Sequence, residues 1–512
     1  RGKKKGAIVM FVMSKEESKR IDEEAIEMGL SAATLMDFAA KAILEEIQKL
    51  PNIKNIMIVC GPGNNGGDGL ALARLLLTYP YNVTLYCLKD ESLMSKEAKF
   101  QLKQLSHPII LHQQLKKSDF KNIDLIVDAL FGIGLNRPIT GVYADWIEQI
   151  NAAKLPTLSI DIASGVDANS GQVLGCAIKA CQTISFTALI QGQLVYPGNE
   201  QSGEIVVKKI HIPTSICETY QHMSYMDAKL AARMLPKRSA HSHKGSYGKV
   251  IGIGGSNQMR GALLLAGEGC LHVGVGVLTL AFPKSLQSSA LFLKSAMSLG
   301  LDDIDGEFSM LASEQLKTKL DPYDVCFIGN GLGRSEATKA MLEVALKQNK
   351  KIVIDGDALY ELVSLLPLLN QSEATIILTP HLKEFATLMK LEIEVIEKDL
   401  FYYGNQFIKT YPKLTLVLKG ETTIVFSHAH CFVSQSGNHA LSKGGSGDIL
   451  CGMIAGFLGQ HCLPEVASAL AVYLHGLSGD LLIKKQSAYT IQMEDIIEGL
   501  NAAFMLVESI KE

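Results

Sequence analysis

The sequence predicts an α/β protein made of two doubly wound α/β/α domains, one in each half of the chain. Short apolar segments typical of buried strands alternate with helical segments throughout. Most of these strands run directly into loops rich in glycine, Asp, Asn or Ser. The length of 512 residues suggests two to four domains at ~150 residues each. A more polar stretch at 215–238 places the boundary near residue 222, which gives domains 1–222 and 223–512.

The composition is that of an ordinary globular protein. Hydrophobic residues make up 47% of the chain and charged residues 20%. The net charge of −3 argues against binding to nucleic acid or to an anionic membrane surface. The ten cysteines contain no CxxC pair, which favours reduced thiols in a cytoplasmic protein. The longest apolar stretch, 261–282, is interrupted by Glu268 and His272, so we expect no membrane span.

The first domain begins with a helical pattern over 14–47 that is broken at Gly29. A strand at 55–60 then leads into the glycine-rich segment GPGNNGGDG at 61–69, and a helix is predicted at 70–78. Strand, glycine-rich turn and helix form the phosphate-cradling unit of a parallel sheet. The segment is neither a GxGxxG motif nor a P-loop, because no Lys-Ser/Thr pair follows it.

Polar residues follow the ends of three predicted strands in this domain. Because the carboxyl ends of parallel strands share one edge of the sheet, we expect these side chains to converge on a single crevice. Oxygen ligands of this kind suit a hard cation or a ribose. The alternative is that Asn, Asp and Ser simply form turns there. The residues concerned are Asn65, Asp68, Asp128, Asp161 and Ser164.

The second domain repeats the alternation of strand, loop and helix, with loops GNGLG, DGDAL, TPHLKE and KGETT after successive strands. Its most informative stretch is GNHALSKGGSGDILCGMIAG at 437–456. This pattern predicts a glycine-rich loop leading into the N-terminus of a buried helix, a place that suits a phosphate. Asp448 in the first turn would be placed to take a proton from a substrate hydroxyl. The alternative is a tight turn whose acidic residue complements the helix dipole.

Together these motifs resemble the bifunctional NAD(P)H-hydrate repair enzymes across nearly the whole chain. The resemblance is carried by GPGNNGGDG, VDALFGIG and DIASG, followed in the same order by GNGLG, TPH, KG and GGSGD. It implies a Rossmann-like epimerase domain joined to a ribokinase-like dehydratase domain. The first interconverts the R and S hydrates of NADH and NADPH. The second removes water from the S hydrate with ADP, giving AMP and phosphate, or with ATP in some relatives.

The resemblance also assigns roles to residues. In the first domain it implies Asp161 as the proton shuttle and Asn65, Asp128 and Ser164 as ligands of K⁺. In the second it implies Asp448 as the catalytic base, with Mg²⁺ bridging the nucleotide phosphates. The implied substrate contacts of the first domain are Asn64, Asn65, Gly66, Gly67, Asp68, Gly132, Ile133, Gly134, Leu135, Asn136, Arg137 and Pro138. Those of the second are Ala262, Gly331, Leu332, Gly333 and His381. The implied nucleotide contacts are Lys419, Gly420, Glu421, Thr422, Thr423, Gly445, Ser446 and Gly447.

The chain departs from the family pattern at several positions. Ala163 and Asn330 stand where proline is usual, and Leu382 with Lys383 replaces Pro-Gly. His439 lies in a loop that is more often rich in methionine. Most departures fall in the second domain and leave the choice between ADP and ATP open.

Two other functions fit parts of the pattern. A ribokinase-like kinase of a vitamin alcohol would share GGSGD, with the first domain as an accessory, but such kinases lack the NNGGDG segment. A binding module, as in RNA-decapping scaffold proteins, would use the first domain without catalysis, but Asp128 and Asp161 are present and no basic stripe is visible. A homo-oligomer is expected. The apolar N-terminal helices are one candidate interface, although packing within the protomer explains the same pattern.

Overall fold

The structure, a computed structural model, describes residues 9–88, 91–105, 111–112 and 114–510. The described residues fall into two compact units, one within 10–221 and the other within 222–510. Each unit has its own sheet and its own apolar core. In the described parts of the chain, no helix combines the length and apolar character needed to cross a membrane.

The first unit contains a seven-stranded sheet. The strands of this unit are β1 (Val12–Met13), β2 (Asn55–Cys60), β3 (Asn82–Cys87), β4 (Leu111–His112), β5 (Leu125–Ala129), β6 (Thr157–Ile160), β7 (Gln182–Phe186), β8 (Leu189–Ile190) and β9 (Glu204–Lys208). Its helices are α1 (Lys15–Glu27), α2 (Ala32–Ile47), α3 (Asn64–Leu76), α4 (Lys96–Lys103), α5 (Val142–Ala153), α6 (Gly198–Ser202) and α7 (Thr214–Thr219). The sheet order is β4-β3-β2-β5-β6-β7-β9 with every pairing parallel, while β1 and β8 form a separate parallel pair.

Strand β2 shows why helices cover both faces of this sheet. Successive side chains of a strand point to opposite faces. Ile56 and Ile58 pack in one core cluster with residues of α2 and α3, whereas Met57 and Val59 pack in another with Trp146 of α5. All four are fully buried, as expected of a strand covered on both sides.

Helix α3 begins earlier than the sequence predicted, at Asn64 instead of residue 70. The glycines of NNGGDG therefore lie in its first turns, where they permit close packing. A Cβ on Gly66 would lie 1.9 Å from the carbonyl oxygen of Gly61, and one on Gly67 would lie 2.7 Å from Cε of Met36. These glycines keep the start of the helix against the sheet and against α2.

The second unit is built on a ten-stranded sheet. The strands of this unit are β10 (Met223–Tyr225), β11 (Lys249–Ile253), β12 (Val277–Pro283), β13 (Met297–Leu301), β14 (Asp303–Ile304), β15 (Glu307–Phe308), β16 (Val325–Ile328), β17 (Lys351–Ile354), β18 (Thr375–Leu378), β19 (Leu414–Leu418), β20 (Thr423–Phe426) and β21 (Cys431–Ser434). Its helices are α8 (Ala228–Met234), α9 (Arg260–His272), α10 (Met310–Lys319), α11 (Glu336–Leu346), α12 (Asp357–Leu369), α13 (Leu382–Met389), α14 (Ile393–Ile396), α15 (Leu400–Thr410), α16 (Ser446–Gly459), α17 (Pro464–Leu482) and α18 (Met493–Ser509).

The order of this sheet is β10-β21-β20-β19-β18-β17-β16-β11-β12-β13. Only β20 runs antiparallel to its neighbours, and β14 with β15 forms a separate hairpin. The predicted fold class is therefore confirmed: both units are α/β with parallel sheets at their centres.

Helix α16 is the buried helix that the GGSGD stretch predicted. From Ile449 to Gly459 every residue is buried. Small residues allow its close approach to α9, since a Cβ on Gly452 would lie 1.7 Å from the carbonyl oxygen of Ala266. This packing holds the N-terminus of α16 in place beside the ends of the central strands.

Two candidate active sites

A cavity of about 610 Å³ lies at the carboxyl ends of β2, β5 and β6 in the first unit. Its walls include most of the substrate contacts implied by the sequence. Those on the walls are Asn64, Asn65, Asp68, Gly132, Ile133, Gly134, Leu135, Asn136 and Arg137. Gly66, Gly67 and Pro138 do not line the cavity. Gly66 and Gly67 are buried against neighbouring backbone and side chains, so their contribution is to packing.

Asp161 lies on the wall of this cavity in a left-handed backbone conformation, with φ of 67°. Its carbonyl oxygen accepts a 2.7 Å hydrogen bond from Nε2 of Gln193, which helps to hold that conformation. Its Oδ2 accepts from the backbone N–H of Ile133 at 3.4 Å. Burial raises the pKa of Asp161 to about 6. A carboxyl group that titrates near neutral pH can both donate and accept a proton.

Gly132 shows how close Asp161 is to Asn65. A Cβ built on Gly132 would lie 3.1 Å from Oδ2 of Asp161 and 3.2 Å from Cβ of Asn65. The two predicted site residues are thus neighbours on either side of a glycine, as the shared strand-end edge predicted. Asn65 is only 7% exposed, and both polar atoms of its side chain lack a hydrogen-bond partner.

Asp128 and Ser164 form a closed hydrogen-bonded group beside this site. Both are fully buried. Oδ1 of Asp128 accepts from Oγ of Ser164 at 2.6 Å, and Oδ2 accepts from the backbone N–H of Ser164 at 2.9 Å and from Oγ of Ser159 at 2.7 Å. Burial raises the pKa of Asp128, and these donors oppose that shift. The pair therefore ties the end of β5 to the loop after β6.

Asp22 is a cavity residue that the sequence analysis missed. It lies on α1, whose amphipathic pattern gives no local signal of a site. Asp22 is an exposed residue that lines the cavity. Desolvation, together with the charges of Asp161 and Glu23, raises the pKa of Asp22 to about 7. The pKa of Asp68 is also raised, by burial and then by Asp161 and Asp22.

The second site lies where the loops after β16, β17 and β19 meet the start of α16. Nδ2 of Asn330 donates to Oδ1 of Asp448 at 2.8 Å. Nζ of Lys419 donates to Oδ1 of Asp355 at 3.0 Å. Desolvation and the nearby charge of Asp355 raise the pKa of Asp448 to about 7, while Asn330 and Lys419 act in the opposite direction. Asp448 is thus a carboxyl group near its titration point at the N-terminus of a buried helix.

Asp355 and Asn330 were not among the predicted site residues. Asp355 is 3% exposed and Asn330 is 1% exposed. Asp355 follows a strand directly, so the rule that selected Asp161 applied to it too. Asn330 appeared in the sequence only as a departure from the family pattern. Its role is visible only through its contact with Asp448, 118 residues further along the chain.

The glycines of GGSGD place backbone close to these charges. Gly445 precedes α16 in a left-handed conformation with φ of 96°. A Cβ on Gly447 would lie 3.2 Å from Nζ of Lys419. Because the first N–H groups of a helix have no partner within it, this terminus and Lys419 together offer a positive environment to an anion. Ser446 lies between the two glycines in the first turn.

The other predicted residues of the second site lie around this centre. Lys419 donates its backbone N–H to the carbonyl oxygen of Pro380, which places His381 beside it. His381 begins α13: its Nδ1 accepts from the backbone N–H of Glu384 at 3.2 Å. Burial, and then the charge of Lys419, lowers the pKa of His381. His381 is therefore a neutral cap whose ring remains half exposed.

The loop after β16 brings Gly331, Leu332 and Gly333 to the same end of the sheet. A Cβ on Gly331 would lie 3.2 Å from Cβ of Ala262, and the N–H of Gly333 donates to Asp357 at 3.0 Å. Leu332 is fully buried, so it supports the loop and is not accessible to a ligand here. The segment Gly420, Glu421, Thr422 and Thr423 forms the turn between β19 and β20, closed by Oγ1 of Thr423 on the carbonyl of Gly420.

Comparisons with known proteins match both units. Residues 250–501 match the family described as NAD(P)H-hydrate dehydratase, and residues 32–192 match the family described as YjeF-related protein N-terminus. The bifunctional NAD(P)H-hydrate repair enzyme of Moorella thermoacetica is 31% identical over 510 residues, covering 96% of this chain and 96% of that protein.

The chain belongs to the bifunctional NAD(P)H-hydrate repair enzymes. The repair enzyme of Escherichia coli is 29% identical over 475 residues, which cover 91% of this chain and 88% of that protein. Among solved structures, an ADP/ATP-dependent NAD(P)H-hydrate dehydratase from Bacillus subtilis is 29% identical with a TM-score of 0.49, covering 56% of this chain and 98% of that one. Membership of the bifunctional repair enzymes confirms the family that the sequence motifs indicated, and it favours that family over the vitamin-kinase alternative.

Proposed function

We propose that this chain repairs hydrated NADH and NADPH in two steps, with an epimerase in domain 1–222 and a dehydratase in domain 223–512. The observation that carries the proposal is shared by both sites. Each site places one carboxyl group among strand ends, where its pKa is raised. The pKa of Asp161 in the first site is raised to about 6, and that of Asp448 in the second to about 7. A group with a pKa near the working pH is the most effective general acid or base.

In the epimerase, Asp161 moves the proton that interconverts the R and S hydrates. The cavity of about 610 Å³ is in the range of small-molecule sites. The glycine-rich loop Gly132–Gly134 and the start of α3 bring backbone groups to its walls. We assign Asn64 to Asp68 and Gly132 to Pro138 to binding of the substrate, with Gly66, Gly67 and Pro138 acting by shaping these segments.

The residues near Asn65 fit a K⁺ ion in part. The buried amide of Asn65 has no partner and can offer its oxygen to a cation. Asp128 and Ser164 already bond to each other and to Ser159, so they would have to exchange these partners to bind the ion. We therefore propose K⁺ binding centred on Asn65, with Asp128 and Ser164 as further ligands, and we assign no proton transfer to the ion.

In the dehydratase, Asp448 takes the proton of the C6 hydroxyl while the hydroxyl oxygen attacks the terminal phosphorus of ADP. AMP leaves, the phosphorylated oxygen then departs from C6 as phosphate, and loss of a proton from C5 restores the ring double bond and so regenerates NADH or NADPH. A positioned base contributes typically ~10²–10⁴ in rate. Lys419 to Thr423 and Gly445 to Gly447 are assigned to the nucleotide. Ala262, Gly331 to Gly333 and His381 are assigned to the hydrate, with Leu332 acting by supporting its loop.

Mg²⁺ is expected to accompany the nucleotide, since it usually binds through substrate phosphates and only one or two carboxylates. We also propose that the protein works in the cytoplasm as a homo-oligomer. Leu291 and Phe292, exposed to 76% and 83%, end the short 3₁₀ helix Lys284–Phe292, which contacts the edge strand β13, and they offer an apolar surface for assembly. Light scattering on the purified protein measures the assembly size.

The test uses a mixture of R and S hydrates and follows both epimers and the recovered reduced nucleotide. With ADP, the wild type should convert all of the hydrate. Asp161→Asn should still dehydrate the S hydrate but leave the R hydrate at its uncatalysed rate of conversion. Asp448→Asn should interconvert the epimers without recovering NADH. If the wild type recovers NADH with neither ADP nor ATP, the proposed function is rejected.

A further inference from the structure

The epimerase cavity has a second wall that none of the motifs supplies. Helices α1 and α2 contribute Ser18, Asp22 and Ile26 from one and Leu35, Met36 and Ala39 from the other. Helix α1 spans Lys15–Glu27, outside residues 32–192 that match the N-terminal family. Asp22 is the acidic residue of this wall, and it faces the space bordered on the sheet side by Asp161 and Asn65.

Three carboxyl groups share this cavity: Asp22, Asp68 and Asp161. They are close enough for the charge of Asp161 to raise the pKa of both others. Such a cluster repels itself, and repulsion alone does not identify a ligand site. The second observation is Asn65, a residue of the same cavity wall that is 93% buried and whose side-chain amide has no hydrogen-bond partner. A buried amide without a hydrogen-bond partner destabilises the fold by roughly its full desolvation penalty, unless a ligand supplies the missing partner.

Epimerisation at one carbon requires proton transfer at both faces of the ring, and a single carboxyl group on one wall is poorly placed to serve both. The hydroxyl must leave from one face of the ring and return to the other. We propose that Asp22 is the second proton-transfer residue of the epimerase and serves the face of the nicotinamide ring that Asp161 does not. This assignment depends on the epimerase function proposed above.

The step balances as follows. One carboxylic acid donates its proton to the C6 hydroxyl, the C6–O bond breaks, and water leaves as the lone pair of N1 forms a C6=N1 iminium. A water molecule then adds to the opposite face of C6, its electron pair forms the new C6–O bond, and the π electrons return to N1. The other carboxylate takes the proton from that water. In the reverse direction the two residues exchange roles.

The surroundings of Asp22 suit this role. A protonated acid and an ionised base must coexist in the cavity. Raised pKa values of about 7 for Asp22 and about 6 for Asp161 allow one to be protonated while the other is charged near neutral pH. The repulsion between them favours states in which only one is ionised. Lys19 of α1 and Arg137 also line the cavity and can offset the remaining negative charge.

The decisive experiment measures R to S conversion by wild type, Asp22→Asn and Glu27→Gln. Glu27 is the matched control because it lies on the same helix and is exposed but is not on the cavity wall. We expect Asp22→Asn to lower kcat by about 10²-fold or more with little change in KM, and Glu27→Gln to resemble the wild type. Asp22→Glu, which keeps the carboxyl group, should retain more activity than Asp22→Asn. Dehydration of the S hydrate should be equal in all four proteins.

Two outcomes would overturn the role of Asp22 alone. One is an Asp22→Asn variant with wild-type kcat. The other is a variant in which only KM rises, since that result describes a binding residue. A wild type that does not accelerate the interconversion would instead reject the epimerase function and this role with it. An unchanged thermal unfolding transition in Asp22→Asn shows that a loss of kcat comes from chemistry.

Discussion

The side-chain amide of Asn330 donates a 2.8 Å hydrogen bond to Oδ1 of Asp448. The same Nδ2 lies 3.5 Å from Oδ2 of Asp355, so one amide faces two carboxyl groups. Nζ of Lys419 forms an ion pair with Oδ1 of Asp355 at 3.0 Å. Asn330 thus stabilises the ionised form of Asp448, whereas the nearby charge of Asp355 destabilises that form.

Removing this hydrogen bond should shift the pH dependence of dehydration. Asp448 must be ionised to accept a proton, so the rate falls as the pH drops through its pKa of about 7. In Asn330→Leu, Asp355 still repels the Asp448 charge while the donor is lost, so that pKa should rise. We expect the acid limb of kcat/KM to move upward by roughly one pH unit. An acid limb at the wild-type position would contradict this account of Asn330.

Replacing Asp448 should stabilise the protein at alkaline pH. The folded-state pKa of Asp448 is raised above its unfolded value of 3.8, so ionisation of this group lowers stability as the pH rises toward and through about 7. Asp448→Asn removes that charge. We expect the free energy of unfolding at pH 8 to rise by roughly 1–3 kcal/mol, and the gain to shrink toward pH 4. Denaturant titrations at both pH values measure the difference, and an equal effect at both would rule out a charge-based cause.

Lys419→Met should destabilise the second unit because it leaves Asp355 without its partner. Asp355 is 3% exposed, and breaking a buried pair on one side typically costs about 3–5 kcal/mol. Lys413→Met is a matched control, since Lys413 pairs with exposed Glu373 at 3.6 Å. We expect Lys413→Met to lower the free energy of unfolding by less than about 1 kcal/mol. Equal losses in the two variants would show that Asp355 does not depend on Lys419.

Gly445→Ala and Gly444→Ala form a matched pair one residue apart. At Gly445, φ is 96° and a Cβ would lie 2.6 Å from Cδ1 of Leu265. A side chain there meets left-handed strain of about 1–2 kcal/mol before the clash is counted. At Gly444 nothing lies within 4 Å of the added atom. We expect a lower unfolding temperature and a higher KM for ADP in Gly445→Ala only; similar behaviour of both variants would count against the backbone requirement.

A cation at Asn65 should be visible without any assay of activity. If K⁺ binds the folded state only, a concentration of ten times its Kd stabilises that state by about 1.4 kcal/mol. Thermal unfolding of the wild type should therefore shift upward in potassium chloride relative to choline chloride. Asn65→Leu removes the unpartnered amide and should show no such shift. A potassium effect of equal size in Asn65→Leu would place the ion elsewhere.

Much of the first site was predictable from local pattern. Strands covered on both faces are continuous apolar segments, and parallel strands end at one edge, so Asn65 and Asp161 were expected to meet and do meet across Gly132. The start of α3 was predicted six residues late. Glycine has a low intrinsic helix propensity, but at Gly66 and Gly67 close packing against Gly61 and Met36 outweighs that preference.

The sequence by itself determined the two α/β domains, the family, and Asn65, Asp161 and Asp448 as residues of the candidate sites. These follow from periodicity and from short motifs, in which the interacting groups are near one another in the chain. Only the tertiary structure brought Asp22 of α1 to the cavity of Asp161, and Asn330 to Asp448 across 118 residues. Such contacts depend on how whole elements pack, and no local pattern records which distant side chain will face a given carboxyl group.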